Sequence, residues 1–181
     1  MDRSQWEMIE VRSSTVGPLI QGCHYLHRMP AVCVCCLGLY VGGWLKGALV
    51  WALPPLETAK RYGGVTWELA RLWLGDELPH NSESWFIGRA IRHVRQQHPD
   101  VRWLVSYADP AQGHNGTIYK ATNWTYEGMT EPKSGGRADY YFGTKRLGRI
   151  GDAPKGAVLT KRPRPPKHRY SFRLAGRDSL H

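Results

Sequence analysis

The stretch VRWLVSYADPAQGHNGTIYKATNW, Val101 to Trp124, begins as a nearly continuous apolar run and then becomes polar. Such a run predicts a strand in the interior of a sheet, covered on both faces. The polar residues come where that strand ends, and side chains at strand ends are often those that meet a ligand. This segment therefore predicts a central strand with a ligand site at its mouth.

The totals of the chain restrict its class. Its 181 residues fit one domain with a buried core. It has no apolar run of about 18 residues, and MDRSQWEMIEVR at the start lacks the apolar segment of a secretion signal. Cys33, Cys35 and Cys36 lie together on a predicted strand, as buried cysteines do, and do not indicate a zinc site. We expect a cytoplasmic protein with no membrane partner.

The net charge of +10 is concentrated near the end of the chain. Residues 144–181 hold eleven Lys and Arg and two Asp, which is +9 of that total. We therefore predict a folded catalytic domain over residues 1–143 and a basic extension over residues 144–181. A block of positive charge favours polyanions such as nucleic acid. A disordered, solvated tail is the alternative.

Aromatic residues alternate with cations in the segment KHRYSFRL. Bases can stack on such rings while the cations meet phosphates. We therefore predict that Lys167, Arg169 and Tyr170 contact nucleic acid.

The pattern along the chain predicts the order β-α-β-β-β-α-β-α-β-β, a mixed α/β sheet. Residues 13–28 predict a short, irregular helix, and Gly42-Gly43 predicts a hairpin. The clearest helix begins with Ser82 or Ser84 as its cap and ends before Pro99. Because this helix follows a sheet strand directly, its free N–H groups form a candidate anion site, although a merely capped helix has the same pattern.

The order of elements resembles the GNAT acyltransferase fold, in which splayed strands admit coenzyme A and its pyrophosphate rests on this helix N-terminus. The resemblance implies a mostly antiparallel sheet that is splayed at its centre and flanked by helices. It also implies a donor site at Ser82, Ser84, Gly88 and Tyr119. The superfamily's Gln/Arg-x-x-Gly-x-Gly/Ala loop is absent, because PHNSESWFIGRA holds only Gly88.

A narrower resemblance covers residues 23–128. HYLHRMP, ELARLWL, LPHNSESWFIGRAIR and VSYADPAQGHNGTIYKATNW resemble the phage Mom family, GNAT-like proteins that modify adenine in phage DNA and block host restriction. This resemblance implies a transferase in the host cytoplasm that places a small acyl or carbamoylmethyl-like group on the N6 amine of adenine in double-stranded DNA. The adenine must then be flipped out of its stack.

Four residues are candidates for catalysis. Asp109, at the end of the central strand, is the first candidate for the base that takes the amine proton, although it also fits a cap of the turn at Pro110. Glu68 and Arg71 interrupt an apolar strand, and buried charges need a partner or a ligand. Arg71 would hold an anionic group of the donor, and Glu68 would anchor it or act as an alternative base; a structural pair explains both equally well. Tyr40 ends a strand and is a candidate proton donor or stacking surface.

His24 and His27 form an H-x-x-H pattern, which on a helix brings two imidazoles near one face. Two histidines and a carboxylate bind iron or zinc in many proteins. The resemblance makes His24, His27 and Asp109 the predicted metal ligands. Surface or capping histidines are the alternative.

The polar segment after Asp109 carries Gln112, His114 and Asn115. Side-chain amides can pair with the edge of adenine, so these residues are predicted to read the base or to clamp the donor. A turn held together by its own amides is the competing explanation.

Two other functions fit the same sequence. One is an acyl-coenzyme A-dependent N-acyltransferase that acts on a protein or small molecule, and the other is a DNA-binding protein without catalysis. The donor stays open among acyl-coenzyme A, aminoacyl-tRNA and another metabolite. A dimer is one of the possible oligomeric states.

Overall fold

The structure is a computed structural model that describes residues 3–131, 139–143, 145–147, 152–162 and 165–174. Two short 3-10 turns, Arg3–Gln5 and Pro110–Gln112, accompany the helices and strands. The helices and strands are β1 (Trp6–Glu10), α1 (Ser13–Cys23), β2 (Cys33–Val41), β3 (Trp44–Ala52), α2 (Leu56–Tyr62), β4 (Val65–Leu74), α3 (Ser82–Gln97), β5 (Val101–Ala108), α4 (Thr117–Lys120), β6 (Thr125–Met129), β7 (Asp139–Phe142), β8 (Lys145–Arg146), β9 (Thr160–Arg162) and β10 (His168–Arg173).

A seven-stranded sheet in the order β1-β2-β3-β4-β5-β10-β6 forms the centre of the fold, and β8-β7-β9 form a small second sheet. In the large sheet only β4 and β5 are parallel; every other neighbouring pair is antiparallel. The predicted mixed, mostly antiparallel sheet with flanking helices is therefore confirmed.

Helices cover both faces of this sheet, which explains the apolar runs of its inner strands. On one face α3 buries Phe86, Ile87 and Val94 against the core, and on the other α1 buries Val16 and Ile20. The described helices, of which α3 with 16 residues is the longest, include none with the length and apolar character that a bilayer crossing requires.

The parallel strands β4 and β5 separate halfway along their length. Their pairing runs from Val65 and Val101 to Leu69 and Ser106. Beyond this point β4 continues beside β3 as far as Leu74, while β5 continues beside β10. The result is a fork in the sheet, and it lies where the resemblance to the GNAT fold placed the splay.

The strand β10 differs from the expectation of a basic extension after residue 143. It lies between β5 and β6 and buries Tyr170 and Ser171, so residues 168–173 belong to the main sheet. The alternating cations hid this strand, because they occupy the face opposite to Tyr170. Residues 144, 148–151, 163–164 and 175–181 of the predicted extension lie outside the described residues.

Gly116 lies against this strand. Its φ is +77°, and a Cβ added to it would overlap the phenol of Tyr170, whose hydroxyl donates to the carbonyl oxygen of Asn115 at 3.0 Å. Gly116→Ala strains the backbone and displaces the ring, so we expect the free energy of unfolding to fall by about 3 kcal/mol in urea denaturation. Gly113→Ala is the matched control: φ is +72°, nothing lies within 4 Å, and about 1 kcal/mol is expected. Equal losses would contradict the role of the Tyr170 contact.

Candidate functional site

Two buried hydroxyls, those of Ser106 and Tyr119, are hydrogen-bonded at the point where β4 and β5 separate. The Ser106 hydroxyl donates to the carbonyl oxygen of Leu69 at 2.9 Å and lies 2.8 Å from the Tyr119 hydroxyl. One hydroxyl carries one proton, so Tyr119 is the donor of the second bond. Burial raises the pKa of Tyr119 to about 12, which keeps its phenol protonated. Tyr119, predicted to bind the donor, here ties α4 to the fork.

This pair makes a stability prediction. Ser106→Ala leaves both the Leu69 carbonyl and the Tyr119 hydroxyl without the partner they have in the fold, so we expect a loss of about 2 kcal/mol in thermal or urea unfolding. Tyr119→Phe is the control, since it keeps the bond from Ser106 to Leu69 and should lose about 1 kcal/mol. A larger loss in Tyr119→Phe than in Ser106→Ala would contradict this order.

Glu68 and Arg71 lie on β4 on either side of the point where the strands separate. Burial raises the pKa of Glu68, and the positive charges of Arg71 and Lys167 oppose that rise. Among the described residues the Glu68 carboxylate makes no hydrogen bond. Arg71 instead donates from Nε to the carbonyl oxygen of Arg28 at 2.8 Å and from Nη1 to that of Ala70 at 2.5 Å. Glu68 is thus a carboxylate with open lone pairs beside two cations.

Beside Arg71 lie two rings from the segment after α1, those of His24 and Tyr25, together with the ring of His114. His24 is buried and stacks on Tyr25 with 4.4 Å between ring centroids, and Tyr25 meets His114 edge to face at 5.5 Å. Tyr25 itself is 37% exposed. Sequence reasoning missed this tyrosine, although its position between two candidate histidines in HYLHRMP was a signal.

The imidazole of His24 is neutral at physiological pH. Burial, followed by the positive charges of Arg71, His114 and His27, lowers the pKa of His24 to about 4. Its Nδ1 accepts a hydrogen bond from the backbone N–H of Leu26 at 3.1 Å, so the remaining ring proton lies on Nε2. His24 can therefore donate a hydrogen bond from Nε2.

The predicted metal ligands do not fit a metal in this arrangement. The predicted helix over residues 13–28 ends at Cys23, so His24 and His27 do not share a helix face. His24 has no free ring lone pair, the Nδ1 of His27 lies 3.0 Å from the carbonyl oxygen of Gln21, and Asp109 is paired with Lys167. Within the described ranges, these three residues are not among the ligand atoms that gather within 4.8 Å of one another.

Asp109 is buried at the end of β5 and uses both carboxylate oxygens. Oδ1 accepts the backbone N–H of Ala111 at 3.1 Å, which caps the following turn, and Oδ2 lies 3.0 Å from the Nζ of Lys167. Asp109 therefore caps the turn at Pro110, as the alternative interpretation of the sequence proposed. Its ion pair with Lys167 was not predicted from the sequence. Lys167, predicted to contact nucleic acid, faces this carboxylate and the charge of Glu68.

The segment after Asp109 is partly held by its own groups. Asn115 Oδ1 accepts a hydrogen bond from the hydroxyl of Thr117 at 2.6 Å. The backbone N–H groups of Gln112 and His114 both donate to the backbone carbonyl oxygen of Asp109. The side chains of Gln112, His114 and Asn115 are all exposed. The turn explains Asn115, whereas the Gln112 side chain is exposed beside the site.

The N-terminus of α3 departs from the prediction that Ser82 or Ser84 caps it. The cap is Asn81, in a left-handed conformation with φ 65° and without a capping side-chain bond. The hydroxyls of Ser82 and Ser84 instead donate to carbonyl oxygens of the preceding turn. Gly88 lies inside the helix with open space around it. Glu83 brings a negative charge into the first turn, and this charge opposes the binding of a phosphate there.

A second polar group, which sequence reasoning missed, surrounds Glu127 on β6. Its carboxylate accepts from the Tyr62 hydroxyl at 2.9 Å and lies 3.5 Å from Arg61 and 3.9 Å from Arg169. Arg169, predicted to contact nucleic acid, thus faces a carboxylate. Tyr40 lies on β2, separated from β4 by β3, and the structure does not bring it to the fork.

Comparison with known sequences identifies one family. The model of the Mom protein family matches residues 5–149. The Methylcarbamoylase mom of Escherichia phage Mu is 38% identical over an alignment of 136 residues, and the match covers 67% of this chain and 55% of that protein. The chain therefore spans about half the length of this relative.

Solved structures of acetyltransferases share the fold. The ribosomal-protein-S5-alanine acetyltransferase from Vibrio fischeri is 8% identical, with a TM-score of 0.59 over 100% of this chain and 98% of that one. The acetyltransferase from Salmonella typhimurium that modifies the N-terminal serine of protein L7/L12 is 12% identical, with a TM-score of 0.56 over 95% and 96%. At these identities the likeness concerns the fold alone, and it confirms the expected GNAT-like architecture.

Proposed function

The chain belongs to the Mom protein family, and we propose from this that it is a DNA-modifying transferase acting on adenine. The group transferred is a small acyl or carbamoylmethyl-like group, and the acceptor is the N6 amine. The family match and the identity to the phage Mu methylcarbamoylase support the proposal. The modified DNA would then resist host restriction, and the protein would act in the cytoplasm of the infected cell.

The observation that carries the proposal is the carboxylate of Glu68 at the fork. The adenine amine is a weak nucleophile, because its lone pair is delocalised into the ring, so a base must take its proton as it attacks. Burial raises the pKa of Glu68 toward the range in which a carboxylate is an effective base. Both oxygens of Asp109 are engaged, so Glu68 is favoured over Asp109 as that base.

The proposed step is a single displacement. The N6 nitrogen forms a bond to the electrophilic carbon of the donor, the bond from that carbon to its carrier breaks with its electron pair, and one amine proton passes to Glu68. Arg71 lies beside Glu68 and is suited to an anionic group of the donor. Asp109 and Lys167 act as positioning residues that hold β10 against the end of β5.

The rings of the site suit a flipped base. Tyr25 is 37% exposed and lies next to His24 and His114, and a purine can stack on a tyrosine ring. The Nε2 proton of His24 and the exposed amide of Gln112 are hydrogen-bonding groups for its edge. The basic residues of the last fifth of the sequence favour the phosphates of double-stranded DNA.

The start of α3 bears on which donor the site takes. Glu83 at the start of α3 and the missing glycine loop speak against a tightly held coenzyme A pyrophosphate. An aminoacyl-tRNA or a smaller metabolite is then favoured as donor. No step is assigned to a metal, because His24, His27 and Asp109 do not fit one.

The experiment expresses the protein in bacteria, digests the DNA to nucleosides and searches by mass spectrometry for a new adenine derivative. A mass shift is expected in cells with the wild-type protein and not with Glu68→Gln. Glu7→Gln, an exposed glutamate on β1, is the matched control and should keep the shift. Unmodified DNA together with acyl transfer to a protein or small molecule from acyl-coenzyme A would favour the N-acyltransferase function instead.

A further inference from the structure

A group of four side chains of the types that bind metal ions lies at the C-terminal end of α3. Glu10 ends β1, Cys35 lies on β2, His93 lies in the last turns of α3, and His98 follows that helix. One ligand atom from each of the four lies within 4.8 Å of the others.

The bonds within this group leave one nitrogen unsatisfied. The Nε2 of His93 donates to Glu10 Oε2 at 2.7 Å, while the Nε2 of His98 lies 3.9 Å from the same oxygen. That His98 nitrogen is buried and has no hydrogen-bond partner. Buried polar atoms are rarely left without a partner unless an ion or water completes the site. The Trp67 ring, 4.7 Å from the His98 ring, covers the group on one side.

We propose that Glu10, Cys35, His93 and His98 form a structural site for a divalent cation of the zinc type. A thiolate, two imidazoles and a carboxylate are all zinc ligands, and four protein ligands complete a tetrahedral shell with no position open for a substrate. In such a shell the ligand atoms stand about 3.3 to 3.8 Å apart. Side-chain movements of about an ångström would therefore bring the four ligand atoms from their present separations, all within 4.8 Å, to those of a tetrahedral shell.

Binding of the ion changes the protonation and the hydrogen bonds of these four residues. The Cys35 thiol releases its proton to solvent and becomes a thiolate, and the proton on the Nε2 of His93 moves to the Nδ1 of the same ring. The hydrogen bond from His93 to Glu10 is thereby replaced by a bond from each residue to the ion. The His98 nitrogen gains the partner that it lacks. The ion would then join β1 and β2 to the end of α3, so we expect it to stabilise the fold without taking part in the transfer reaction.

The test measures zinc in the purified full-length protein and its melting temperature after adding zinc and then a chelator. We expect one equivalent of zinc, a rise in melting temperature on loading, and loss of that rise with the chelator. Cobalt in place of zinc should show absorption from a cobalt–thiolate bond. Absence of any stabilisation by zinc in the wild-type protein would overturn the proposal.

Variants assign the ion to these residues. Cys35→Ser and His98→Gln should each lower zinc affinity by at least about 100-fold. Cys36→Ser is the matched control, because Cys36 is the adjacent buried cysteine, packs against α1 and lies outside the group. Should Cys35→Ser fail to fold, Glu10→Gln at the partly exposed end of the site provides the same comparison. Zinc that survives Cys35→Ser but is lost in Asp109→Ala would place the ion elsewhere and overturn the assignment.

Discussion

Glu68→Gln is expected to lower the rate of adenine modification by about 10²- to 10⁴-fold, the usual contribution of a general base. Glutamine keeps the shape of the side chain and cannot accept the amine proton. The rate is measured as modified nucleoside formed per unit of folded protein, so a loss of expression does not count as a loss of catalysis. Asp109→Asn would lower the rate by the larger factor if Asp109 were the base, and that result would contradict this assignment.

The pH dependence of the wild-type rate follows from the same residue. Burial raises the pKa of Glu68 above the ordinary value for a glutamate, and the base must be deprotonated to act. We therefore expect activity to be lost as the pH falls through this raised pKa, at a higher pH than an exposed glutamate would cause. A profile that is flat through the acid range would speak against Glu68.

Stability gives a second measurement on Glu68, and its pH dependence is opposite to that of activity. Its folded-state pKa is raised, so the stability that the protonated carboxyl contributes is complete below the ordinary pKa and is lost as the pH rises through the raised one. Glu68→Gln has no such titration. The variant should melt at or above the wild-type temperature near neutral pH, and the difference should vanish in acid. A variant that is inactive but equally or more stable separates catalysis from folding.

Much of the fold could be predicted from the sequence because it depends on local patterns. The apolar runs became inner strands, and Gly42 and Gly43, both with positive φ, form the hairpin between β2 and β3. The strand β10 could not be predicted with the same rules, because its charges resemble those of a solvated tail. Only its position between β5 and β6 shows that Tyr170 fills the core.

The sequence predicted which residues belong to the site better than it predicted the contacts between them. Glu68 and Arg71 were identified as charges within an apolar strand, His24 as a candidate metal ligand and His114 as a candidate contact to the base or the donor. The structure brings these side chains near one another. The partner of Asp109 was not predictable, because Lys167 lies 58 positions further along the chain and no periodicity links the two. Side-chain pairing across strands of distant sequence is decided by the topology of the sheet.

Lys167→Met is expected to lower the free energy of unfolding by about 3 kcal/mol, because it leaves the Asp109 carboxylate buried without its cation. The Asp109 side chain is 3% exposed and that of Lys167 is 27% exposed, so the carboxylate cannot turn to water whereas the ammonium can. Asp109→Asn should therefore cost less, about 1 to 2 kcal/mol, since its amide oxygen still accepts the Ala111 N–H.

The double variant Asp109→Asn with Lys167→Met completes a double-mutant cycle, in which the free energy of unfolding is measured in urea. Removal of both charges leaves no orphaned ion, so the loss should be smaller than the sum of the single losses by about 1 to 3 kcal/mol. Lys161→Met, an exposed lysine on β9, is the control and should change stability by less than about 0.5 kcal/mol. Additive losses would mean that the contact of 3.0 Å does not hold β10 to the end of β5, and that Asp109 acts through its cap alone.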